Sequence, residues 1–183
     1  MTVGKHLELV VCAAPLAQHV VRVGRDIQAE GWAVSVVTST NAADWVDRDG
    51  VQELTGQQAV TRARSAAEPR TRPTPDAVVV LPATFNTLNK LRQGISDTPA
   101  LGVLNDAVGM RLPLLAVPMV SERLTGHPAW SETVRWLDTI GIVIVDPSTG
   151  EVGHCEPLAS GTGDTVAERF ETKSLIGWLH TLD

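Results

Sequence analysis

Short apolar runs alternate along this chain with stretches in which apolar residues recur every three or four positions. Runs of the first kind are typical of strands, and one of them, AVVVL, is continuous enough to be buried on both faces of a parallel sheet. The predicted strands are Leu7–Cys12, Ala33–Val37, Ala77–Leu81, Leu114–Val117 and Ile142–Val145. Stretches of the second kind predict helices. The predicted helices are Leu16–Glu30, Asn41–Val46, Asn86–Gly94, Ala100–Gly109, Pro128–Ile140 and Thr165–Leu182.

This alternation predicts an α/β fold, a three-layer, doubly wound parallel sheet of the Rossmann-like or flavodoxin-like kind. Residues 1–183 are too few for two ordinary domains and are predicted to form a single domain. Two segments rich in proline, arginine, glycine or serine, 47–75 and 147–164, are predicted to be long loops, the first with a turn of helix near Val51–Leu54. In such sheets ligands bind outside the carboxyl ends of the strands, so functional residues are sought there.

Composition narrows the functional classes. Hydrophobic residues make up 43% and charged residues 20% of the chain, which is typical of a packed domain rather than a disordered one. The net charge of −6 argues against a nucleic-acid partner. No apolar run has the length of a membrane span or of a signal peptide, so we expect a cytoplasmic protein without membrane contact. The cysteines Cys12 and Cys155 and the five histidines lack the spacing of a zinc site, and no metal is expected.

The end of the third strand carries the most informative residues. Familiar nucleotide-binding and hydrolase motifs are missing from the strand ends, but this strand continues as Pro82-Ala83-Thr84-Phe85-Asn86-Thr87. Two hydroxyls and an amide at a strand-to-helix turn lie beside the free backbone N–H groups of the helix, an arrangement that suits an anion such as phosphate. Thr84 and Asn86 can equally serve only as helix caps, and the pattern alone leaves both interpretations open.

The segment around this turn, VVVLPATFNTLNKLRQGISDTPALGVLNDA, resembles the P-A-[ST]-x-N-T region of the homo-oligomeric flavin-containing cysteine decarboxylases. That family includes phosphopantothenoylcysteine decarboxylases and peptidyl-cysteine decarboxylases. Downstream, LLAVPMVS resembles the family's V-V-V-A-P-A-M-N, and VRWLDTIGIVIVDP resembles the helix and strand that follow it. Upstream, GWAVSVVTSTNAADWV is similar to G-H-E-V-R-V-V-M-T-x-S-A-x-x-F. The resemblance runs from Leu9 to Pro147.

The resemblance implies an FMN-binding flavoprotein that oxidises and decarboxylates a cysteine-containing substrate of the peptidyl or pantothenoyl type. It also implies a homotrimer or dodecamer with FMN at the subunit interface. The implied cofactor-binding residues are Ala13, Ala14, Thr38, Ser39, Asn41, Pro82, Ala83, Thr84, Asn86, Thr87 and Met119. The first loop departs from the family, because Ala13-Ala14-Pro15 replaces Gly-Ser-Ile and thereby removes a hydroxyl and a backbone N–H.

The catalytic positions depart further. The family's active-site histidine falls on Glu68 in this chain. Three other residues are therefore the catalytic candidates. His127, in the loop after the fourth strand, is a substitute base; Ser121 replaces the asparagine of P-A-M-N. Cys155, in the glycine-rich stretch GHCEPLASGTG, lies where phosphopantothenoylcysteine decarboxylases have a functional cysteine.

Two functions stay open: an FMN-dependent cysteine decarboxylase, which is a lyase, or a non-catalytic FMN-binding or scaffold subunit that has lost the active-site histidine. A flavin prenyltransferase is less well supported, because the first loop lacks the Gly-Ser pattern of those enzymes. Arginines in the first long loop are interpreted as a solvated surface, the alternative being a clamp for a substrate carboxylate or phosphate. They are Arg62, Arg64, Arg70 and Arg72.

Overall fold

One parallel sheet of five strands forms the centre of the protein, in a computed structural model that describes residues 4–62, 67 and 73–182. The strands are β1 (His6–Val11), β2 (Ala33–Thr38), β3 (Ala77–Ala83), β4 (Leu114–Pro118) and β5 (Val143–Ile144). They lie in the order β2-β1-β3-β4-β5, and every neighbouring pair is parallel. This order is that of the flavodoxin-like sheet. The predicted fold class is confirmed.

Helices cover both faces of the sheet. They are α1 (Val20–Ala29), α2 (Arg48–Thr55), α3 (Phe85–Arg92), α4 (Pro99–Met110), α5 (Glu122–Thr125), α6 (Pro128–Thr139), α7 (Gly163–Arg169) and α8 (Lys173–His180). Apolar side chains of α1, α7 and α8 form one core with one face of the sheet, and those of α3, α4 and α6 form a second core with the other face. Two apolar cores on either side of a central sheet are the physical basis of the three layers. Within the described residues, no helix is long and apolar enough to cross a lipid bilayer.

Three predicted helices differ from the structure. In place of a helix at Asn41–Val46 there is a single 3₁₀ turn at Thr40–Ala42, and α2 begins instead at Arg48, inside the first predicted loop. The side chain of Asp47 determines that start, because its carboxylate accepts a hydrogen bond from Gly50 N at 3.0 Å and so caps the helix. The predicted helix Leu16–Glu30 begins as a 3₁₀ helix, Pro15–His19, before α1.

The predicted final helix, Thr165–Leu182, is two helices, α7 and α8. The break falls at Phe170, whose ring is buried and whose backbone leaves the helical region. Its carbonyl oxygen accepts a hydrogen bond from the Arg22 guanidinium at 3.0 Å, and Thr172 donates to Asp26 at 2.7 Å. The spacing of apolar residues fits one continuous helix, but contacts of Phe170 and Thr172 with α1, which is distant in the sequence, break it into two.

The second core supplies a test of the fold. Leu104 on α4 is fully buried, so Leu104→Ala should lower the free energy of unfolding by about 2–5 kcal/mol through lost apolar contact and a residual cavity. Met110, on the same helix but 56% exposed, is the matched control, and Met110→Ala should change the free energy by less than about 0.5 kcal/mol. Urea denaturation followed by circular dichroism measures both. Equal effects of the two substitutions would contradict the assigned core.

Candidate functional site

The site lies where the chain changes direction across the sheet. The helix that follows β1 packs on one face, and the helix that follows β3 packs on the other. Because β1 and β3 are neighbours, their outgoing loops diverge at the carboxyl edge and leave a crevice between them. A hydrogen bond from Cys12 N to the carbonyl oxygen of Pro82, 3.1 Å long, joins the two strand ends at its floor.

A cavity of about 390 Å³ opens at this crevice. It is lined by residues that follow β1, β2 and β3 and by the start of α4. They are Ala13, Ser39, Thr40, Asn41, Thr84, Asn86, Thr87, Lys90, Thr98 and Leu101. Six of the residues predicted to bind the cofactor are thus brought together, although they come from segments up to about 70 positions apart.

The lining is polar, with little charge. Hydroxyl and amide groups dominate it, and of the residues that line it Lys90 alone is charged. The Lys90 ammonium contacts the Asp97 carboxylate at 2.5 Å. The first turn of α3 adds backbone N–H groups, which have no partners within the helix, and the positive end of its dipole. This donor set suits a phosphate ester attached to a polyhydroxyl chain.

Two side chains at the start of α3 form a hydrogen-bonded chain with a third that follows β1. Thr84 is the N-cap, and its Oγ1 accepts from Thr87 N at 3.4 Å. The Oγ1 atoms of Thr84 and Thr87 lie 3.0 Å apart. The thiol of Cys12 donates to Thr87 Oγ1 at 3.2 Å. Thr84 therefore acts as a helix cap and also lines the cavity, so the two interpretations of this turn are compatible.

Five of the predicted cofactor-binding residues lie outside the cavity lining: Ala14, Thr38, Pro82, Ala83 and Met119. Backbone groups of Pro82 and Ala83 link β3 to its neighbours, since Met119 N donates to Ala83 O at 2.8 Å. Thr38 is completely buried at the end of β2, and its Oγ1 has no hydrogen-bond partner among the described residues. These positions support the loops that carry the lining residues.

His127 lies beside Phe85, which stands in the sequence between two residues that line the cavity. It is the N-cap of α6, its ring is edge-on to Phe85 with centroids 5.8 Å apart, and Phe85 stacks on Trp130 at 6.1 Å. The Nδ1 of His127 accepts a hydrogen bond from Ala129 N at 3.1 Å. A neutral imidazole that accepts at Nδ1 carries its proton on Nε2. In this tautomer the Nε2 of the exposed His127 is a hydrogen-bond donor.

The two other catalytic candidates lie at the end of β4. Ser121 precedes α5, and its backbone pairs with Leu158 in the second predicted loop. The Sγ of Cys155 lies 3.8 Å from the carbonyl oxygen of Pro118. Both are half-buried, and both belong to the carboxyl edge that carries the cavity.

A buried carboxylate holds the segment around Cys155 in place. Asp146 is fully buried; its Oδ1 accepts from Ser148 N at 2.7 Å and Thr149 N at 2.8 Å, and its Oδ2 accepts from Glu156 N at 2.6 Å. Burial, with the negative charges of Asp146 and Glu156, raises the pKa of the Cys155 thiol to about 12. Cys155 is consequently a protonated thiol at neutral pH and poorly suited to act as a nucleophile.

Sequence reasoning missed several residues that line or support the site. Thr98 followed by proline is a helix-start signal, and its Oγ1 does accept a hydrogen bond from Leu101 N at 3.2 Å. The residues next to Thr98 in the sequence give no sign that it lines the cavity. The role of Asp146 likewise depends on amides that follow it in a folded loop.

Other predicted residues lie elsewhere. Arg62 is exposed. It lies two residues after Val60, whose backbone pairs with Val37 of β2. Arg64, Arg70, Arg72 and the position that aligns with the family histidine, Glu68, lie outside the described residues. Among the described residues, no cluster of three or more His, Cys, Asp or Glu side chains is arranged to hold a metal ion.

The protonated state of Cys155 is testable by alkylation. At pH 8 iodoacetamide should modify Cys155 about a hundredfold or more slowly than an unstructured cysteine peptide, because the raised pKa leaves almost no thiolate. Glu156→Gln should raise the rate a few-fold by removing one negative charge, whereas Glu122→Gln should leave it unchanged. Peptide mass mapping measures the rate of Cys155 alkylation. Alkylation of Cys155 as fast as that of the unstructured peptide would contradict a protonated thiol.

Comparisons with known proteins bear on the family and the fold. A sequence model described as Flavoprotein matches residues 2–168. The chain is 28% identical over 152 residues to the coenzyme A biosynthesis bifunctional protein CoaBC of Thermococcus kodakarensis, covering 79% of this chain and 37% of that protein. The chain spans 37% or less of the length of the curated relatives that it matches.

Two solved structures share the fold over nearly the whole chain. The FMN-dependent cysteine decarboxylase SpaF superposes with a TM-score of 0.67 at 21% identity, covering 94% of this chain and 96% of that one. The dodecameric FMN-dependent Ubix-like decarboxylase from Escherichia coli O157:H7 gives 0.70 at 18% identity, covering 94% and 93%. The resemblance drawn from the PATFNT segment is thereby confirmed, and the match over most of its length shows that this protein belongs to the Flavoprotein family.

Proposed function

We propose that this protein binds FMN in the cavity between β1 and β3 and uses it to oxidise and decarboxylate a small-molecule or peptide substrate with a cysteine thiol and a nearby carboxylate. The observation that carries the proposal is the lining of the cavity: in a member of the Flavoprotein family, neutral hydroxyl and amide donors converge on the amino end of α3. Two fold neighbours, SpaF and the Ubix-like decarboxylase, are FMN-dependent.

The residues present fit the phosphate end of FMN. Ser39 and Asn41, after β2, and Thr84 and Asn86, at the start of α3, provide hydrogen-bond donors from two segments, and the α3 dipole stabilises the negative charge. Lys90, held beside Asp97, adds a cation at the wall. The loop after β1 contributes less than in the resembled family, since two alanines and a proline occupy it.

When bound, FMN supplies a two-electron acceptor, and the protein's part is to bind and orient the substrate. His127 is suited to bind the substrate carboxylate, because its Nε2 carries a proton and is exposed. Ser121 adds a hydroxyl at the end of β4. Cys155, protonated and fixed near Pro118, adds an S–H group at the same edge.

The second candidate is a non-catalytic FMN-binding or scaffold subunit. One observation favours it: no histidine occurs between Val20 and Gly126, so the resembled family's base is missing from the sequence. The decarboxylase and a non-catalytic FMN-binding subunit both require FMN, and substrate turnover separates them. We also propose a homotrimer or a dodecamer with FMN at the subunit interface, in line with the dodecameric neighbour.

The phosphate assignment predicts the effect of one added charge. Asn86→Asp should weaken FMN binding more than about tenfold, because a carboxylate would repel the phosphate, and should leave riboflavin binding nearly unchanged. The substitution does not disfavour folding, since an acidic residue in the first turn of a helix is stabilising. Quenching of flavin fluorescence measures both dissociation constants.

The matched control is Gln52→Glu, the same amide-to-carboxylate change on the exposed face of α2, which should bind FMN like the unmodified protein. A wild-type protein that binds no FMN would refute the proposal. Equal losses of FMN and riboflavin affinity in Asn86→Asp would place the phosphate elsewhere.

The role of His127 is tested by two substitutions. If its Nε2 proton binds the substrate carboxylate, His127→Asn should keep substantial turnover, because the asparagine amide also donates, and His127→Ala should lose about tenfold or more. Mass spectrometry detects the loss of CO₂ and two hydrogens from a peptide ending in cysteine and from pantothenoyl-cysteine.

His154→Ala is the control, since His154 is exposed and pairs with Glu156. Equal loss in both His127 variants would instead indicate a base at this position. No turnover in the FMN-loaded wild-type protein with either substrate would favour the non-catalytic subunit.

A further inference from the structure

A buried thiol that the proposed chemistry does not use lies directly behind the cavity. Cys12, one residue after β1, is 1% exposed and belongs to the second core. Its sulfur donates to Thr87 Oγ1 at 3.2 Å, across 75 positions of the sequence. Burial raises the pKa of this thiol, so it keeps its proton and the proton stays available to the threonine oxygen.

The contacts beyond Cys12 give the hydrogen-bonded chain a direction. Thr87 Oγ1 receives the thiol proton, so its own single proton is directed at Thr84 Oγ1, 3.0 Å away. Thr84 Oγ1 also accepts from Thr87 N at 3.4 Å. With both lone pairs of its oxygen occupied, the Thr84 hydroxyl must point its proton away from α3, and Thr84 lines the cavity.

The opposite direction is disfavoured. It would require Thr84 to donate to Thr87 and Thr87 to donate to the sulfur of Cys12. A thiol is a weak donor and a weak acceptor alike, but in that arrangement its proton would need another acceptor in the apolar second core. A Thr84 hydroxyl turned inward would also present only its oxygen to the cavity, which repels an anion.

We propose that Cys12 is a positioning residue: through Thr87 it orients the Thr84 hydroxyl as a donor into the cavity, and so selects a phosphorylated flavin over an unphosphorylated one. This inference rests on the proposed FMN site and names a determinant of its phosphate specificity. A thiol that merely filled the core would not distinguish the two flavins.

The test compares dissociation constants for FMN and riboflavin. Cys12→Ala should weaken FMN binding about threefold to tenfold, the effect of losing one neutral hydrogen bond, and leave riboflavin binding within about twofold. Cys12→Ser, which restores an O–H donor, should recover most of the preference for FMN. Riboflavin affinity serves as the measure of an intact fold. Equal losses for both flavins, or no change in their ratio, would overturn the inference.

A double-mutant cycle tests the path through Thr87. In a Thr87→Val background the chain of hydrogen bonds is already broken, so adding Cys12→Ala should not change the FMN-to-riboflavin ratio further. An additional loss as large as in the wild-type background would show that Cys12 acts by another route.

A spectroscopic readout is independent of affinity. In Cys155→Ser protein, Cys12 is the single remaining thiol. Its S–H stretching band should move to lower frequency when FMN binds and stay unchanged with riboflavin, because a phosphate acceptor strengthens every bond in the chain. An equal band position in both complexes would overturn the inference. Wild-type protein that binds neither flavin would instead refute the proposed function itself.

Discussion

The site depends on one topological constraint, the reversal of winding between β1 and β3. Neighbouring parallel strands whose helices leave on opposite faces cannot have their loops close over one another, and a crevice remains at their carboxyl ends. The hydrogen bond from Cys12 N to Pro82 O fixes the depth of that crevice. Every group that lines the cavity is carried to it by a loop that follows a buried strand or by a helix that packs on one.

Within that crevice, recognition depends on orientation more than on net charge. Lys90 has a carboxylate partner in Asp97, and the protein as a whole carries a charge of −6. A dianionic ligand must therefore be held by directed N–H and O–H donors near a helix terminus. Such donors stabilise a ligand only when their protons point at it, and the proposed role of Cys12 is to set that direction through Thr87 and Thr84.

Local signals made most of the fold and half of the site predictable. Alternating apolar runs identified all five strands, and the PATFNT turn placed hydroxyl and amide groups at the correct strand end, since caps and turns depend on adjacent residues. What escaped prediction depends on distant partners. Thr87 meets Cys12 only after β1 and β3 pair, and the break before α8 requires Arg22 on α1.

The segment after β5 shows the same principle on the catalytic side. Its composition is typical of a mobile connection, yet Asp146 collects three of its backbone amides and Leu158 pairs with Ser121. A buried carboxylate is costly unless such donors surround it, so these bonds hold the segment to the sheet. Burial, with this negative charge beside it, raises the pKa of the Cys155 thiol and keeps it protonated. Asp146 thus holds the segment that carries Cys155 in place and adds to the effect of burial on its thiol.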